Sequence, residues 1–520
     1  MMSDQIEKKQ AQNHDAHLNM ETLEYGAVEP VHSSSQFSPT AEKSLVRKID
    51  RTILPIMVVA YMMAFIDKQT LSYTSLMGLI QDLHLTGNQY SWSSGIFYFG
   101  YLFFSREIPK DKMAILMITR NSYPASLLMV KFPLGKYLAI NFILWAIVLG
   151  CHAATTNFAT LMVVRFFLGA TEASLSPGFT LITSLWYTRS EQPLRAGIWF
   201  CGNSLSLIVG NSIAVGILEI KSKLGAWQWL FIIFGILTFL WGVLMLFRLP
   251  NSPTDASFLT EEERMIAVER LKGNKTGFKN TRIDRNQIME CFKDPKTLLL
   301  GVMVLTANIP NGGYTTFNGL VLKGFGFDTR HTLLLGLPGG FIVFLFVLSG
   351  GILSSKVKNC RCLVMIGMNV ISIVGSVLVY VCKSVGARYA GLILMGVYST
   401  AMPISMTIIS SNVGGFTKKA TVSAVFFILY CVGNIIGPQL FFEDEAPKYQ
   451  SGFLAIIVCL SVNVLDSGAL LYYLRRENSR RDRMCRSSSS NDAPEKHANN
   501  SQTELLDVTD LHNKQFRYAY

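Results

Sequence analysis

The chain has 520 residues, half of them hydrophobic and only 16% charged, with a mean hydropathy of +0.32. Soluble domains carry roughly 25% charged residues, so this composition excludes a water-soluble globular fold and requires lipid around most of the surface. The net charge of +12 comes from Lys and Arg in short segments between apolar blocks, where they orient helices and meet anionic headgroups rather than nucleic acid.

Residues 1–44 are polar, rich in Ser, His, Glu and Gln. They contain no apolar leader core and read as a disordered cytosolic tail. Apolar blocks of about 20 residues, the length of a membrane-crossing helix, follow. Six lie at 52–73, 91–130, 137–154, 158–181, 196–218 and 228–247. A polar stretch, 248–296, separates them from six more at 297–320, 332–353, 362–381, 387–410, 420–441 and 452–474. The expected fold is all-α and polytopic: twelve transmembrane helices in two six-helix bundles, residues 45–247 and 297–474. The last segment, 475–520, is polar with serines at Ser487–Ser490 and reads, like the first, as a disordered cytosolic tail.

Basic residues cluster at alternate loops, among them Arg47, Lys48, Arg51, Lys136, Arg195, Lys356, Lys418 and Arg475. An acidic group, Glu443–Glu445, lies on the other side. This asymmetry places both tails and the central loop in the cytosol. Within that loop, Thr260 followed three residues later by Glu263 has the pattern of a helix N-cap and its capping partner, so a short helix is expected there.

The second block is interrupted. Residues 105–122 carry Arg106, Glu107, Lys110, Asp111, Lys112 and Arg120, each costly at mid-bilayer. Without them the flanks join into a span of about 22 residues, a normal crossing length. The segment therefore reads as an insertion, such as translated intron, which sequencing the mature transcript decides; a broken helix with a re-entrant loop is the competing reading. The two halves also echo each other: Arg195-Ala196 precedes Val209-Gly210-Asn211 much as Lys419-Ala420 precedes Val432-Gly433-Asn434. That repetition fits a duplicated six-helix unit.

Ionisable groups inside spans mark cavities or pairs. Arg165 and Glu172 stand about two turns apart on one face of the fourth span. A cation there can receive an anionic substrate, and a carboxylate in a cavity can take and release protons; a structural pair is the competing reading. Asp67-Lys68 near the end of the first span offers a second acid and base, or an interfacial pair with snorkelling side chains. Asp466 in the last span reads as structural. Pro177-Gly178 should bend the fourth span. Asn308-Ile309-Pro310-Asn311-Gly312-Gly313 should break the seventh, and Gly433-Asn434 with Gly437-Pro438 the eleventh. Asn308, Asn311 and Asn434 put polar groups at lipid depth, where they would line a cavity, whereas the glycines read as helix-packing residues. Cys360 and Cys362 lack His partners for a metal site, so neither metal nor cofactor is expected. No catalytic constellation and no phosphate-cradling Gly-Lys-Ser/Thr loop occurs, so the chain is not expected to be an enzyme, and an ion gradient would supply the energy.

Several stretches resemble the major facilitator superfamily, and within it the fungal allantoate permease family of anion:cation symporters. They are Asp67–Tyr73, Arg165–Ala173 (an Arg-x-x-x-Gly-x-x-Glu pattern), Ala307–Gly313, Lys323–Phe327 and Tyr430–Gln439. The resemblance covers roughly residues 45–480 apart from 105–122. It implies a proton-coupled importer of small carboxylates: allantoate or ureidosuccinate, a carboxylate vitamin, or a small peptide. A transporter-like nutrient sensor without net transport is the alternative. By the same resemblance Asp67 and Glu172 serve proton coupling, and Arg165 anion recognition or the proton relay. Lys68 stands where many relatives have Arg and keeps the charge without the bidentate fork. Pro133-Leu134-Gly135-Lys136 is a degenerate form of the family's loop motif. The implied setting is a monomer in the plasma membrane, with a small-molecule carboxylate and protons as partners.

Overall fold

The computed structural model describes residues 38–104, 132–188, 191–272, 284–489, 509–513 and 515–520. The expected insertion at 105–122 lies outside them. The chain divides into two units, residues 1–46 and 47–520. The described part of the first is Ser38 and the beginning of helix α1 (Pro39–Leu76), and the second holds the rest of α1 and every other span.

No strand occurs among the described residues. After α1 come α2 (Gln89–Phe104), α3 (Leu134–Cys151), α4 (Phe158–Glu172), α5 (Leu175–Trp186), α6 (Gln192–Phe200), α7 (Gly202–Leu218) and α8 (Ala226–Arg248). The central loop holds α9 (Glu261–Lys272) and α10 (Arg285–Lys293). The second half consists of α11 (Pro295–Lys323), α12 (Thr329–Lys356), α13 (Arg361–Val381), α14 (Val385–Met395), α15 (Ala401–Asn412), α16 (Phe416–Gln439) and α17 (Gln450–Ser489). Ten helical stretches have the length and hydropathy of a membrane span. Two more fall short for identifiable reasons. The described part of α2 stops at Phe104, and the 29-residue α11 carries Asn308, Asn311, Thr315 and Thr316 in its middle. With them the order is the expected twelve spans.

The fourth span bends where the chain requires it. α4 stops at Glu172 and α5 begins at Leu175, because Pro177 has no N–H to give the carbonyl of residue 173 and disfavours helical backbone just before itself. The tenth span is interrupted comparably by a 3-10 turn, Gly396–Thr400, between α14 and α15. The seventh and eleventh spans do not break, contrary to expectation: α11 and α16 run continuously through Pro310 and Pro438. Their glycines serve close packing instead. A Cβ at Gly437 would stand 2.2 Å from the Ile309 carbonyl oxygen, and one at Gly312 2.7 Å from that of Asn434. The α2–α4 crossing is equally tight, with Gly100 against the Phe166 carbonyl and Gly169 against that of Phe97.

Within the first bundle α2 packs on α4 and α3 on α8; within the second, α11 packs on α16 and α13 on α17. Between bundles, α7 meets α12 and α2 meets α16. The sequence echo falls on corresponding fifth and eleventh spans. Asn211 and Asn434 each donate to the carbonyl four residues earlier, Leu207 (2.6 Å) and Tyr430 (2.8 Å). Gly210 abuts Tyr73 of the first span as Gly433 abuts Asn308 of the seventh.

The central loop is shared between the bundles. The expected cap is present: Thr260 N–H donates to Glu263 (2.9 Å) and Glu263 N–H to Thr260 Oγ1 (3.3 Å). α9 is fastened to the first bundle by Lys48–Glu263 (2.5 Å) and Arg270–Glu191 (2.6 Å). α10 is fastened to the second, where Lys418 Nζ reaches Glu290 (2.9 Å) and Lys418 N–H donates to Gln287 (3.0 Å). The polar C-terminal segment, read from composition as a disordered tail, is partly built into the fold. α17 stays helical to Ser489, and residues 509–513 and 515–520 return to the same end of the second bundle. There Asp510, fully buried, bonds Lys296, Lys418 (3.0 Å) and the Gly414 N–H (3.0 Å). Arg481 donates to the Asp510 carbonyl (3.0 Å) and the Tyr518 hydroxyl (2.8 Å). Composition does not reveal such a segment, because paired charges at Asp510 and a few aromatics, Phe516, Tyr518 and Tyr520, dock it in an otherwise polar stretch.

Candidate functional site

A cavity of about 900 Å³ lies between the bundles. Ile288 and Phe292 of the central loop and Thr417, Lys419 and Ala420 at the start of α16 line one end, so it opens toward the face that carries the loop. At the opposite face the bundles are closed on each other. Tyr90 donates to the Thr316 carbonyl (2.9 Å), Ser94 bonds Thr316 (2.8 Å), Gly319 N–H donates to Ser72 (3.2 Å), and Thr329 donates to the Leu76 carbonyl (3.1 Å).

On the first-bundle wall Lys68 and Glu172 meet. Lys68 Nζ lies 2.7 Å from Glu172 Oε1, with the lysine side chain 18% exposed and the glutamate 3%. α1 and the end of α4 supply the two groups, and the bend after Glu172 ends the helix at that residue. The ammonium sits over the rings of Phe97 (5.7 Å) and Tyr101 (5.8 Å), whose faces attract a cation. Glu172 Oε2 has no hydrogen-bond partner among the described residues. That oxygen is buried and keeps an unmatched acceptor.

Asp67 and Arg165 are buried but are not among the residues lining the cavity. Consecutive helical residues point about 100° apart, which turns Asp67 away from the Lys68 direction and toward α3. There Trp145 Nε1 donates to its Oδ2 at 2.8 Å. Arg165 shares a face with Glu172 but stands two turns nearer the closed end. Its Nε and Nη2 find no hydrogen-bond partner among the described residues.

On the second-bundle wall the polar groups deeper than Lys419 are neutral. Asn311 Nδ2 donates to Asn434 Oδ1 (2.7 Å), and Asn434 Nδ2 donates to Asn308 Oδ1 (3.2 Å). Tyr398 donates to Asn311 Oδ1 (3.0 Å). Asn308, Asn311 and Tyr398 line the cavity, whereas Asn434 is fully buried behind them. Sequence reasoning missed Tyr398 and the neighbouring Tyr314, whose rings meet edge to face at 6.0 Å. A tyrosine among small residues in an apolar block was the only signal, and core tyrosines give the same one. Asp466 is buried in α17, away from the cavity, and its Oδ2 has no partner among the described residues. No cluster of His, Cys, Asp and Glu among the described residues is placed to hold a metal.

The profile of the family described as Major Facilitator Superfamily matches residues 116–438. An uncharacterized transporter of Schizosaccharomyces pombe is 38% identical over 93% of this chain and 91% of its own length. The allantoate permease of Saccharomyces cerevisiae is 33% identical over 93% and 88%. A thiamine pathway transporter of the same yeast is 32% identical over 94% and 88%. Among solved structures, a bacterial homologue of the human lysosomal transporter Spinster, inward-facing, superposes with a TM-score of 0.56 at 15% identity, covering 84% of this chain and 97% of that one. The xylose transporter XylE of E. coli gives 0.56 at 11% identity, covering 80% and 96%.

Proposed function

The chain belongs to the major facilitator superfamily and is a multi-pass membrane transporter; from that premise we propose that it is a proton-coupled symporter importing a small organic anion. The observation that carries this reading is the Lys68–Glu172 pair on the cavity wall. When Glu172 takes a proton its hold on Lys68 is lost, and a substrate carboxylate replaces it as the partner of the ammonium. Proton and anion thus enter the same cavity together, and neither leaves a buried charge alone. Asp67 is the second proton acceptor. Arg165, without a hydrogen-bond partner at two of its nitrogens among the described residues, supplies the positive field that keeps Asp67 and Glu172 in communication. Asn308, Asn311 and Asn434 form the uncharged side of the binding site.

Exposure alternates by rocking of the two bundles. The division of the central loop supports this, since α9 is held by one bundle and α10 by the other. In this reading the loop face is cytosolic, the membrane is the plasma membrane and the working unit is a monomer. Substrates of the allantoate, ureidosuccinate, carboxylate-vitamin or small-peptide type are favoured by the charge of Lys68, and the allantoate type also by the name of one yeast relative.

Uptake of labelled allantoate, nicotinate, a dipeptide and a sugar by cells expressing the chain tests the proposal at acidic and neutral outside pH. Carboxylate uptake should rise in acid and collapse with a protonophore. Uptake indifferent to both, or uptake of the sugar alone, would sink it, and surface-localised protein that moves none of the panel would favour a nutrient sensor.

A further inference from the structure

Asp67 is held by a partner from its own bundle. Its Oδ2 accepts the Trp145 indole N–H at 2.8 Å, and both side chains are buried. Thr70 is the other donor nearby, but its hydroxyl lies 3.5 Å from Asp67 Oδ1 and bonds the Asp67 main-chain carbonyl at 2.6 Å. Among the described residues Trp145 is therefore the close donor to this carboxyl.

Packing fixes the indole. α3 lies tightly on α8: a Cβ at Gly242 would stand 2.8 Å from Ile143, and one at Gly235 3.2 Å from the Gly150 main chain. The Phe142 ring meets the indole edge to face at 4.6 Å. α1, α3 and α8 all belong to the first bundle, so rocking of one bundle against the other leaves the bond between Trp145 and Asp67 in place.

An indole N–H can only donate. It pairs with Oδ2 whether Asp67 is ionised or neutral. In the neutral acid it assigns the proton to Oδ1, because the carbonyl oxygen is the better acceptor. A donor bonds a carboxylate roughly twice as strongly as a neutral group, so the bond stabilises the ionised form over the acid. The charged groups acting on Asp67 are Arg165 and Glu172 of α4 and Lys68 beside it on α1. The described α2 carries no charged residue, and α8 none before Arg248. His152, further along α3, bonds the carbonyls of Val148 and Leu149.

We propose that Trp145 is the positioning residue of the first-span acid: it orients the Asp67 carboxyl, assigns its proton to Oδ1 and sets the pH at which that proton is taken up. This rests on the proton-accepting role given above to Asp67.

Indole N–H resonances of the purified full chain, carrying isotope-labelled tryptophan, test this over a pH series. One resonance should move upfield as pH falls, when its acceptor passes from carboxylate to neutral acid, and the movement should be lost in Asp67→Asn. The Trp227 indole, bonded to exposed Asp82 at 2.7 Å, is the built-in control and should behave alike in both chains. Trp145→Phe keeps an aromatic ring and removes the N–H. In that variant the infrared band of the protonated Asp67 carboxyl, identified by its loss in Asp67→Asn, should titrate about one pH unit higher than in the unmodified chain. That shift is a roughly tenfold gain in proton affinity, the worth of about one net hydrogen bond. The band should also move to higher frequency as its C=O loses a donor. An Asp67 band that titrates in the unmodified chain while no Asp67-dependent indole resonance follows it overturns the role of Trp145 and leaves Asp67 as an acceptor; this needs no tryptophan variant to fold. A band unmoved in midpoint and frequency by Trp145→Phe overturns it equally. Absence of any titrating Asp67 band overturns the proton-accepting role of Asp67, and the inference with it, while Glu172 keeps its part.

Discussion

The two bundles solve the problem of polarity inside a membrane in opposite ways. The first puts four ionisable groups, Asp67, Lys68, Arg165 and Glu172, at lipid depth, with one close ion pair on the cavity wall. The second faces the same cavity with amides and hydroxyls, Lys419 standing only at the open end, and apart from Asp466 gathers its buried charges at its loop-face end around Lys296, Lys418, Asp294 and Asp510. Charge in a cavity responds to protons and ligands because each change of partner is worth several kcal/mol. An amide network is fixed at all accessible pH values, since amides do not titrate. The difference teaches that a two-bundle fold can keep its titratable groups on one cavity wall and fixed, uncharged polar groups on the other.

Four substitutions break or sharpen that contrast. The largest effect is expected from Glu172→Gln, which removes the titrating group while keeping its shape. Proton-driven accumulation should fall to background while counterflow exchange of substrate persists, measured on the same cells; loss of both would mean that Glu172 serves folding. Next, Lys68→Met leaves the Glu172 carboxylate buried without its partner, and should cost about 3–5 kcal/mol of stability together with anion binding. Thermal unfolding in detergent checks this, and Lys68→Arg should restore most of both.

Asp510→Asn comes third. It removes the carboxylate shared by Lys296 and Lys418 and should cost about 3 kcal/mol, with substrate affinity unchanged. Burial by itself would raise the Asp510 carboxyl, but the lysines and the Gly414 N–H more than offset this and hold it below the ordinary aspartate value. A carboxylate depressed on folding contributes stability that is complete above its unfolded value and is lost as pH falls through the folded one. Docking of residues 509–520, followed by a fluorophore at the C-terminus, should therefore be constant from neutral pH down to the ordinary aspartate range and released only below it. The smallest effect is expected from Asn434→Leu. This leaves the Asn311 N–H and Asn308 carbonyl without their bonds, for about 1–2 kcal/mol, and the loss should be the same at acid and neutral pH. A pH-dependent loss would contradict the division of labour between the bundles.

Much of this was legible before any coordinates. Block length and hydropathy fixed the number of spans, because a helix must be long enough to cross lipid and apolar enough to stay there. Proline chemistry located the bend after Glu172, although the same reasoning wrongly broke α11 and α16. Lone prolines in those helices are tolerated where glycines let the two backbones pack closely. The cost of a charge in lipid singled out Asp67, Lys68, Arg165 and Glu172, and the family resemblance rested on the same residues.

Which of the four would meet could not be read from spacing. Arg165 and Glu172 share a helical face, yet the partner of Glu172 is Lys68, about a hundred residues away in sequence, because helix crossing and depth along the bilayer decide contact. The part played by Tyr398, and the return of residues 509–520 to the second bundle, were hidden for the same reason. The sequence by itself determined the solvent, the helices and the costly residues, since these follow from local composition and period. The tertiary structure alone decided the pairing of those residues and the direction of each amide, since hydrogen bonds and ion pairs depend on distances of a few ångströms between segments that the chain order leaves far apart.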